Sequence, residues 1–262
     1  MFYRIHIVPN LNRRIMRFTD PMKTPYGINI IESCTSCPVA KDRLFCNLSP
    51  GALEGLDAIS SSSTYPKGAL LFVEGQEPRG VFIICNGRVK LSASSADGKA
   101  LILRIAETGE VIGMPGTISG QPYEVTAEAL EPIQANFIGR EEFVNFLREH
   151  GDAALKVAEI LCHVYQAMYK EVKYLGLSSS AKEKLARFLL DWSANHKSEN
   201  ASDSVKFNLT LTHEEIAQMI GASRETVTRL FADFKKNNLL HVRGATVTIK
   251  DQTGLERLLL SS

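Results

Sequence analysis

The chain has 262 residues, with 44% apolar, 23% charged and 8% aromatic side chains, a composition that supplies a buried core and excludes disordered, collagen-like and mucin-like chains. Its length fits one large domain or two of medium size. The formal net charge is +1, and an acidic middle with a mildly basic C-terminal part permits a nucleic-acid contact without requiring one.

The N-terminal residues show neither a periodic apolar pattern nor a signal-peptide-like stretch. We therefore expect an extension at 1–33 and a cytoplasmic protein. No apolar run reaches the about 18 residues that a membrane-spanning helix needs, so no membrane is expected as a partner.

Three of the five cysteines fall close together, at Cys34, Cys37 and Cys46. An odd number of cysteines in a reducing compartment does not predict a disulfide framework. Thiolates do ligate iron–sulfur clusters and zinc, and the spacing of Cys34 and Cys37 offers two ligands on one turn. Three interpretations stay open: an iron–sulfur cluster, zinc or another metal, and reduced thiols without metal.

Between residues 60 and 140, short apolar runs alternate with glycine-containing turns. Runs of this length and spacing predict an antiparallel barrel, roll or sandwich, and Asp97-Gly98 predicts a two-residue hairpin. The seven predicted strands are 69–73, 80–85, 88–92, 100–105, 111–112, 123–129 and 133–138.

The pattern becomes helical after residue 140, with a short helix at 141–150 that Gly151 ends and a long helix through 177. The long helix has more apolar face than one neighbouring domain covers, so its near-heptad stripe predicts the seam of a two-helix homodimer. Burial within one monomer is the alternative. The predicted seam residues are Leu155, Ala158, Leu161, Tyr165, Met168 and Val172.

The last part of the chain has the pattern of a helix-turn-helix followed by a hairpin, or wing. Thr212 and Glu215 have the spacing of a capping box, Gly221 permits a tight turn, and Ser223 caps the next helix. The predicted elements are a helix at 181–196, a strand at 205–209, helices at 213–220 and 223–237, and strands at 239–242 and 246–249.

The outward face of the second helix of the pair holds Arg224, Glu225, Thr228 and Arg229. Each arginine can offer two donors to guanine O6 and N7, and the glutamate can accept from the cytosine amino group. These side chains lie in the N-terminal half of the helix, where recognition helices meet base edges. The further predicted DNA contacts are Thr212, Ser223 and Thr226 at phosphates, and Arg243 at the tip of the wing.

Residues 222–229, Ala-Ser-Arg-Glu-Thr-Val-Thr-Arg, resemble the recognition helix of the CRP/FNR family of bacterial transcription regulators. Residues 67–75 and 87–91 are similar to that family's cyclic-nucleotide-binding-like domain. The resemblance implies an α+β fold with an antiparallel β-roll (a double-stranded β-helix), a long dimerisation helix and a C-terminal winged helix-turn-helix.

The implied domains are an extension at 1–33, a cysteine segment with a β-roll sensor at 34–150, a dimerisation helix at 151–177 and a winged-helix DNA-binding domain at 178–262. The resemblance also implies a homodimer that binds palindromic double-stranded promoter DNA and contacts RNA polymerase. The Arg-Glu-xxx-Arg pattern is more similar to the CRP version, which implies TGTGA-like half-sites rather than TTGAT-like ones.

Cyclic AMP is not the expected ligand. The family's cyclic-AMP binders use a glutamate for the ribose and an arginine for the phosphate, but Met114 and either Tyr123 or Glu124 stand at the matching positions. A pocket without a cation loses its main attraction for a phosphate.

FNR-type sensors hold an iron–sulfur cluster with an N-terminal cysteine group and a fourth cysteine from the β-roll. In this sequence Asn136 stands at the usual fourth position. Cys85 lies elsewhere in the roll and is the possible fourth ligand beside the N-terminal three.

The sequence contains no phosphate loop, nucleophile elbow or His-Glu-x-x-His motif, so no enzyme is expected. The expected function is that of a homodimeric, sequence-specific transcription regulator whose signal acts at the β-roll or at the N-terminal cysteines. Two alternatives are a cyclic-nucleotide-binding module and a redox or iron–sulfur sensor, each with a main output other than DNA binding.

Overall fold

The alternating apolar residues in the middle of the chain build a β-roll from two four-stranded antiparallel sheets. A computed structural model describes residues 26–37, 40, 43, 45–95, 98–177, 180–195 and 205–259, the side chains of 170–177 and 195 excepted. The strands of the roll are β1 (Ser61–Tyr65), β2 (Leu70–Phe72), β3 (Gly80–Asn86), β4 (Val89–Ser94), β5 (Ala100–Ala106), β6 (Val111–Ile112), β7 (Thr126–Ala129) and β8 (Ile133–Gly139).

The strand order is β1-β8-β3-β6 in one sheet and β2-β7-β4-β5 in the other. Successive side chains of a strand point to opposite faces. Phe82 and Ile84 of β3 therefore pack inside the roll, while Val81 and Ile83 belong to a second core beneath the surrounding helices. The sequence predicted seven of these eight strands; β1 was not predicted.

Helices cover the outer face of the roll. They are α1 (Pro50–Ile59), α2 (Met114–Ser119), α3 (Arg140–Glu149) and the long α4 (Gly151–Leu177). Ala153 and Val157 of α4 are buried in the same core as Phe45 and Leu56, so the first turns of α4 are fixed to the roll and to the cysteine segment. Gly151 was predicted to end the preceding helix; instead His150 is the C-cap residue of α3, and Gly151 begins α4.

The C-terminal part folds around its own core. Its elements are α5 (Ala181–Asn195), β9 (Val205–Asn208), α6 (His213–Ile220), α7 (Arg224–Lys236), β10 (Leu240–Arg243), β11 (Thr246–Ile249) and α8 (Gln252–Leu258). Trp192, Phe231 and Phe234 pack in this core against the sheet β10-β11-β9. Helix α8 was not predicted; Asp251 caps it by accepting a hydrogen bond from the N–H of Gly254.

The roll and the C-terminal domain contact each other directly. Ile105 and Leu130 of the roll pack against the C-terminal core. Beside them, Arg88 makes a two-pronged ion pair with Glu131, and its Nη2 also donates to Thr210 Oγ1 at 2.9 Å. Apolar packing and a charged hydrogen bond thus join the two domains. Over the described residues, no helix is both long and apolar enough to cross a bilayer.

Candidate functional site

Helix α6 and helix α7 meet at a sharp turn whose geometry is set by local capping. Thr212 Oγ1 accepts from the N–H of Glu215 at 3.2 Å, and Glu215 Oε2 accepts from the N–H of Thr212 at 2.7 Å, so the predicted capping box is confirmed. Gly221 has a φ of 64°, in the left-handed region that glycine enters readily. Ser223 Oγ then accepts from the N–H of Thr226 at 3.2 Å and starts α7.

Helix α7 buries one face and leaves the other free to meet a ligand. Val227, Phe231 and Phe234 are buried in the domain core, which directs the opposite face outward. The four predicted base-reading residues, Arg224, Glu225, Thr228 and Arg229, are all exposed on that face. The Glu225 carboxylate has its pKa lowered by its own backbone N–H and by Ser223, because it lies at the N-terminus of the helix.

The remaining predicted DNA contacts lie around the same face. The Thr212, Ser223 and Thr226 hydroxyls already take part in capping hydrogen bonds. Arg243 is exposed at the end of β10, where the hairpin turns through Gly244 with a φ of 60°. The wing and the start of α7 are therefore both available to a duplex.

His213 is a residue of this site that the sequence did not identify as a structural link. Its ring stacks on Phe231 with centroids 4.9 Å apart and an interplanar angle of 11°. Its Nδ1 lies 2.9 Å from Thr228 Oγ1. His213 therefore holds the first turn of α6 against the middle of α7. The contact joins residues fifteen positions apart, and no local sequence pattern indicates it.

Helix α4 divides its apolar residues between two directions. Ala153 and Val157 are buried against the roll, and Leu161 packs partly against it. Leu155, Tyr165 and Met168 instead point to solvent, with 61%, 69% and 61% of their surface exposed. Ala158 is exposed as well, and the side chain of Val172 lies outside the described part. The described monomer thus leaves a long apolar face uncovered.

Four cysteines line one small cavity between the N-terminal segment and the roll. Cys34, Cys37, Cys46 and Cys85 surround a space of about 20 Å³. Cys85 lies on β3 at a bulge, between the pairs Ile84–Ala135 and Asn86–Gln134, and such an extra residue can redirect a strand's side chains. The fold therefore brings together thiols that are far apart in sequence.

The four thiols are half-buried, and the charges of neighbouring cysteines affect the pKa values of Cys34, Cys46 and Cys85. Burial raises the pKa of Cys34 and of Cys85 to about 12, and neighbouring cysteines add to both shifts. Burial raises the pKa of Cys46 to about 11, although the charge of Arg43 acts in the opposite direction. At neutral pH the thiols of Cys34, Cys46 and Cys85 are therefore protonated, so a metal that binds them must displace protons.

Polar neighbours fix the cysteine segment. Asp57 of α1 accepts from the N–H of Cys34 at 2.7 Å and from Ser33 Oγ at 2.8 Å. Asn136 Nδ2 donates to Cys34 Sγ at 3.5 Å. Two buried side-chain atoms of the described residues have no hydrogen-bond partner, Arg43 Nε and Asn136 Oδ1, and both residues line the cysteine cavity. Neither Asp57 nor Arg43 carries a sequence signal that singles it out.

The interior of the roll is filled with aromatic side chains where the family's cyclic-AMP binders need an arginine. Tyr123 is buried and stacks on Phe72 with centroids 4.1 Å apart. Its hydroxyl donates to the carbonyl of Gly80 at 2.6 Å and accepts from the N–H of the same residue at 3.1 Å. Met114 is buried too, while Glu124 is exposed. No cation lies among these residues.

Comparison with known proteins identifies both domains. Residues 62–150 match the cyclic nucleotide-binding domain, and residues 183–258 match the Crp-like helix-turn-helix domain. The chain is 24% identical to the CRP-like cAMP-activated global transcriptional regulator of Mycobacterium tuberculosis, over 84% of this chain and 97% of that protein. It is 27% identical to the fumarate and nitrate reduction regulatory protein of Vibrio cholerae, over 86% and 89%.

A solved structure with a similar fold is that of a CooA variant from Carboxydothermus hydrogenoformans. It aligns with a TM-score of 0.68 at 25% identity and covers 78% of this chain and 90% of that one. The c-di-GMP responsive global regulator CLP of Xanthomonas campestris aligns with a TM-score of 0.67 at 22% identity, over 77% of this chain and 99% of that one.

Proposed function

Because this chain belongs to the CRP/FNR family of DNA-binding transcription regulators, we propose that it acts as a homodimer that reads TGTGA-like half-sites under the control of its cysteine site. The observation that carries the proposal is the exposed reading face of α7, on which Arg224, Glu225 and Arg229 stand together. An arginine, a glutamate and a second arginine in this order match the donors and acceptors of guanine and cytosine edges.

The dimer proposal rests on the uncovered face of α4. Tyr165 and Met168 expose most of their surface, and large contiguous apolar faces mark interaction sites. A second α4 laid against this face would bury both sides of the seam at once. The two copies of α7 would then have to lie about 34 Å apart to enter successive major grooves on one side of the duplex. RNA polymerase is the proposed further partner at the promoter.

The cysteine site is the proposed sensor. Four thiols at one cavity supply the four sulfur ligands that iron–sulfur clusters require. Two buried polar atoms without a partner line the same cavity, and such exceptions call for an explanation such as an absent ion. Within the described ranges no three donors already stand in ligand geometry, so the thiols must turn towards a shared centre. The kind and number of the ligands fit an iron–sulfur cluster, and holding one would require these side chains to rearrange.

When bound, an iron–sulfur cluster would supply sensitivity to oxygen or to redox state. The chain's own contribution would be to hold it: Cys34, Cys37 and Cys46 from the N-terminal segment, and Cys85 from β3. Asn136 would keep its hydrogen bond to Cys34, and Asp57 would anchor the segment on α1. Because the same core holds the start of α4, a change at the cysteines acts on the helix proposed to join the protomers.

Cyclic AMP is not the proposed effector. Tyr123 occupies the interior of the roll with its hydroxyl already paired to Gly80, and no cation is present among these residues to receive a phosphate. A cyclic nucleotide bound there would lose the charge interaction that orients it.

One pair of measurements tests the proposal. Protein purified without oxygen is assayed for iron, sulfide, zinc and visible absorption, and its operator is selected from random duplexes. Iron and sulfide with an absorption band that air removes, together with a palindromic TGTGA-like site, are expected. If only zinc is found, the proposed group is a zinc ion and not an iron–sulfur cluster. If the dimer holds no metal but still selects the operator, the cysteines act as a thiol switch. A well-folded dimer without DNA affinity at low salt would contradict the regulator itself.

A further inference from the structure

Arg43 occupies an unusual place between the cysteine cavity and α4. It lines the cysteine cavity and also a second cavity of about 290 Å³, which reaches Ile160 and His163 of α4. Its Nε is buried without a hydrogen-bond partner. A buried donor without an acceptor lowers the stability of a fold, so packing alone does not account for the arginine.

The neighbouring turn is shaped to receive the Arg43 side chain. Gly109 has a φ of 89°, and a Cβ added there would overlap the aliphatic stem of Arg43. The Gly109 N–H donates to the carbonyl of Ile84, next to Cys85. The turn that seats the arginine is therefore hydrogen-bonded to the strand that carries the fourth cysteine.

We propose that Arg43 is a positioning residue of the cysteine site: its guanidinium compensates the negative charge of four sulfur ligands, and its Nε–H donates a hydrogen bond to the bound group. This inference rests on the proposed sulfur-ligated group. Four thiolates in a cavity this small repel each other, and a buried cation lowers that cost. Groups that support metal ligands in this way typically change metal affinity 10- to 100-fold when they are removed.

The test compares metal holding with the stability of the metal-free protein. Full-length wild type, Arg43→Met, Arg43→Lys and the control Arg148→Met, an exposed arginine of α3, are loaded anaerobically with ferrous iron and sulfide, and in parallel with Zn²⁺ alone. A chelator is then titrated. We expect half-removal of metal from Arg43→Met at a chelator concentration about 10- to 100-fold lower than from wild type. Arg43→Lys should lie between the two, and Arg148→Met should match wild type.

In the metal-free proteins, the Arg43→Met substitution should not reduce stability, in contrast to its effect on metal affinity. Replacing Arg43 with methionine removes the unpartnered Nε, so the unfolding temperature of metal-free Arg43→Met should not fall below that of wild type. A structural role predicts the reverse. The inference would be overturned if Arg43→Met and wild type lost metal at the same chelator concentration. It would also be overturned if the substitution lowered the unfolding temperature equally with and without metal.

A glycine pair tests the seat of the arginine without removing its charge. Gly109→Ala should displace the Arg43 stem and weaken metal holding. Gly75→Ala is the matched control, because Gly75 has a φ of 80° but nothing within 4 Å of an added Cβ. If the wild-type protein takes up neither iron nor zinc, the proposal of a sulfur-ligated group is wrong, and so is the inference about Arg43. That result is seen in wild type and is thus distinct from a failure confined to the variants.

Discussion

Arg88 and Thr210 are 122 residues apart in sequence, yet Arg88 Nη2 donates to Thr210 Oγ1 at 2.9 Å. Arg88 is held in place for this contact by its ion pair with Glu131, with both bonds at 2.9 Å. The bond links the β-roll to the segment just before the recognition pair of helices.

Removing this link should loosen the two domains from each other. We expect Thr210→Val to lower the free energy of unfolding by about 0.5–1.5 kcal/mol, the usual net contribution of one hydrogen bond. Urea denaturation measures the loss, and hydrogen exchange should rise at β9 and the start of α6. Thr246→Val, at an exposed position of the wing, is the control and should leave exchange there unchanged.

Arg229 should carry base recognition. Arg229→Ala is expected to cost about 1–3 kcal/mol at a cognate guanine and to relax specificity at that base pair. Fluorescence anisotropy with the selected operator and single-substitution operators measures both. Arg257→Ala on α8 removes an equal charge from another exposed site and should weaken binding far less. If the selected operator tolerates Arg229→Ala without loss, Arg229 does not read a base.

Met168 should lie in the dimer seam. A carboxylate placed at this exposed apolar position would face its copy across the two-fold axis, so Met168→Glu should give monomers. Light scattering after size exclusion measures the mass, and affinity for a two-half-site operator should fall with it. Gln166→Glu adds the same charge to another exposed position of α4. A Met168→Glu protein that remains a dimer would move the seam elsewhere.

The fourth sulfur ligand should be transferable between neighbouring strands. Asn136 of β8 pairs with Ile83 of β3 and donates to Cys34 Sγ, so a thiol at residue 136 would stand beside the same cavity as Cys85. We expect Cys85→Ser to lose most bound iron and the double variant Cys85→Ser/Asn136→Cys to regain it, as measured by iron and sulfide content. Wild-type iron content in Cys85→Ser would remove Cys85 from the ligand set.

His213 should make the stability of the C-terminal domain depend on pH. Burial lowers its pKa below the ordinary 6.5, and the charges of Lys235 and Arg224 add to the effect. The unfolded chain therefore takes up a proton first as the pH falls. Stability is lost as the pH drops through the unfolded pKa and levels off below the folded one.

Urea midpoints at about pH 7.5 and about pH 5.5 measure this dependence. The decrease on acidification should be smaller in His213→Gln than in wild type. His241→Gln, at an exposed position of β10, should keep the wild-type decrease. An equal decrease in all three proteins would assign the pH dependence to other groups.

The recognition pair of helices was predictable because its signals are local. The capping box joins Thr212 to a residue three positions away, and Gly221 takes its left-handed conformation within the turn itself. Such interactions involve residues only a few positions apart, so a local sequence pattern is enough to predict them.

Strand β1 was missed for the opposite reason. Its residues are Ser-Ser-Ser-Thr-Tyr, and the first three are exposed, so no apolar alternation marks it. It is a strand because it pairs with β8, from Ser61 opposite Phe137 to Tyr65 opposite Ile133. Pairing across more than sixty residues is a tertiary effect that overrides local preference.

The cysteine site was half predictable. The N-terminal group stands out by spacing, whereas the approach of Cys85 depends on the order of β8 and β3 in the sheet and on a one-residue bulge. Arg43 could not be identified at all, because its role depends on the missing side chain of a glycine 66 positions later.

The length of α4 converts small angles into large displacements. Its 27 residues span about 40 Å at 1.5 Å per residue, and its first turns are fixed beside the cysteine segment. A tilt of about five degrees at that end would carry the far end sideways by about 3.5 Å, close to the 3.4 Å rise of one base pair. A helix of this length would therefore convert a small tilt at the roll into a displacement of about one base-pair step at its own C-terminal end.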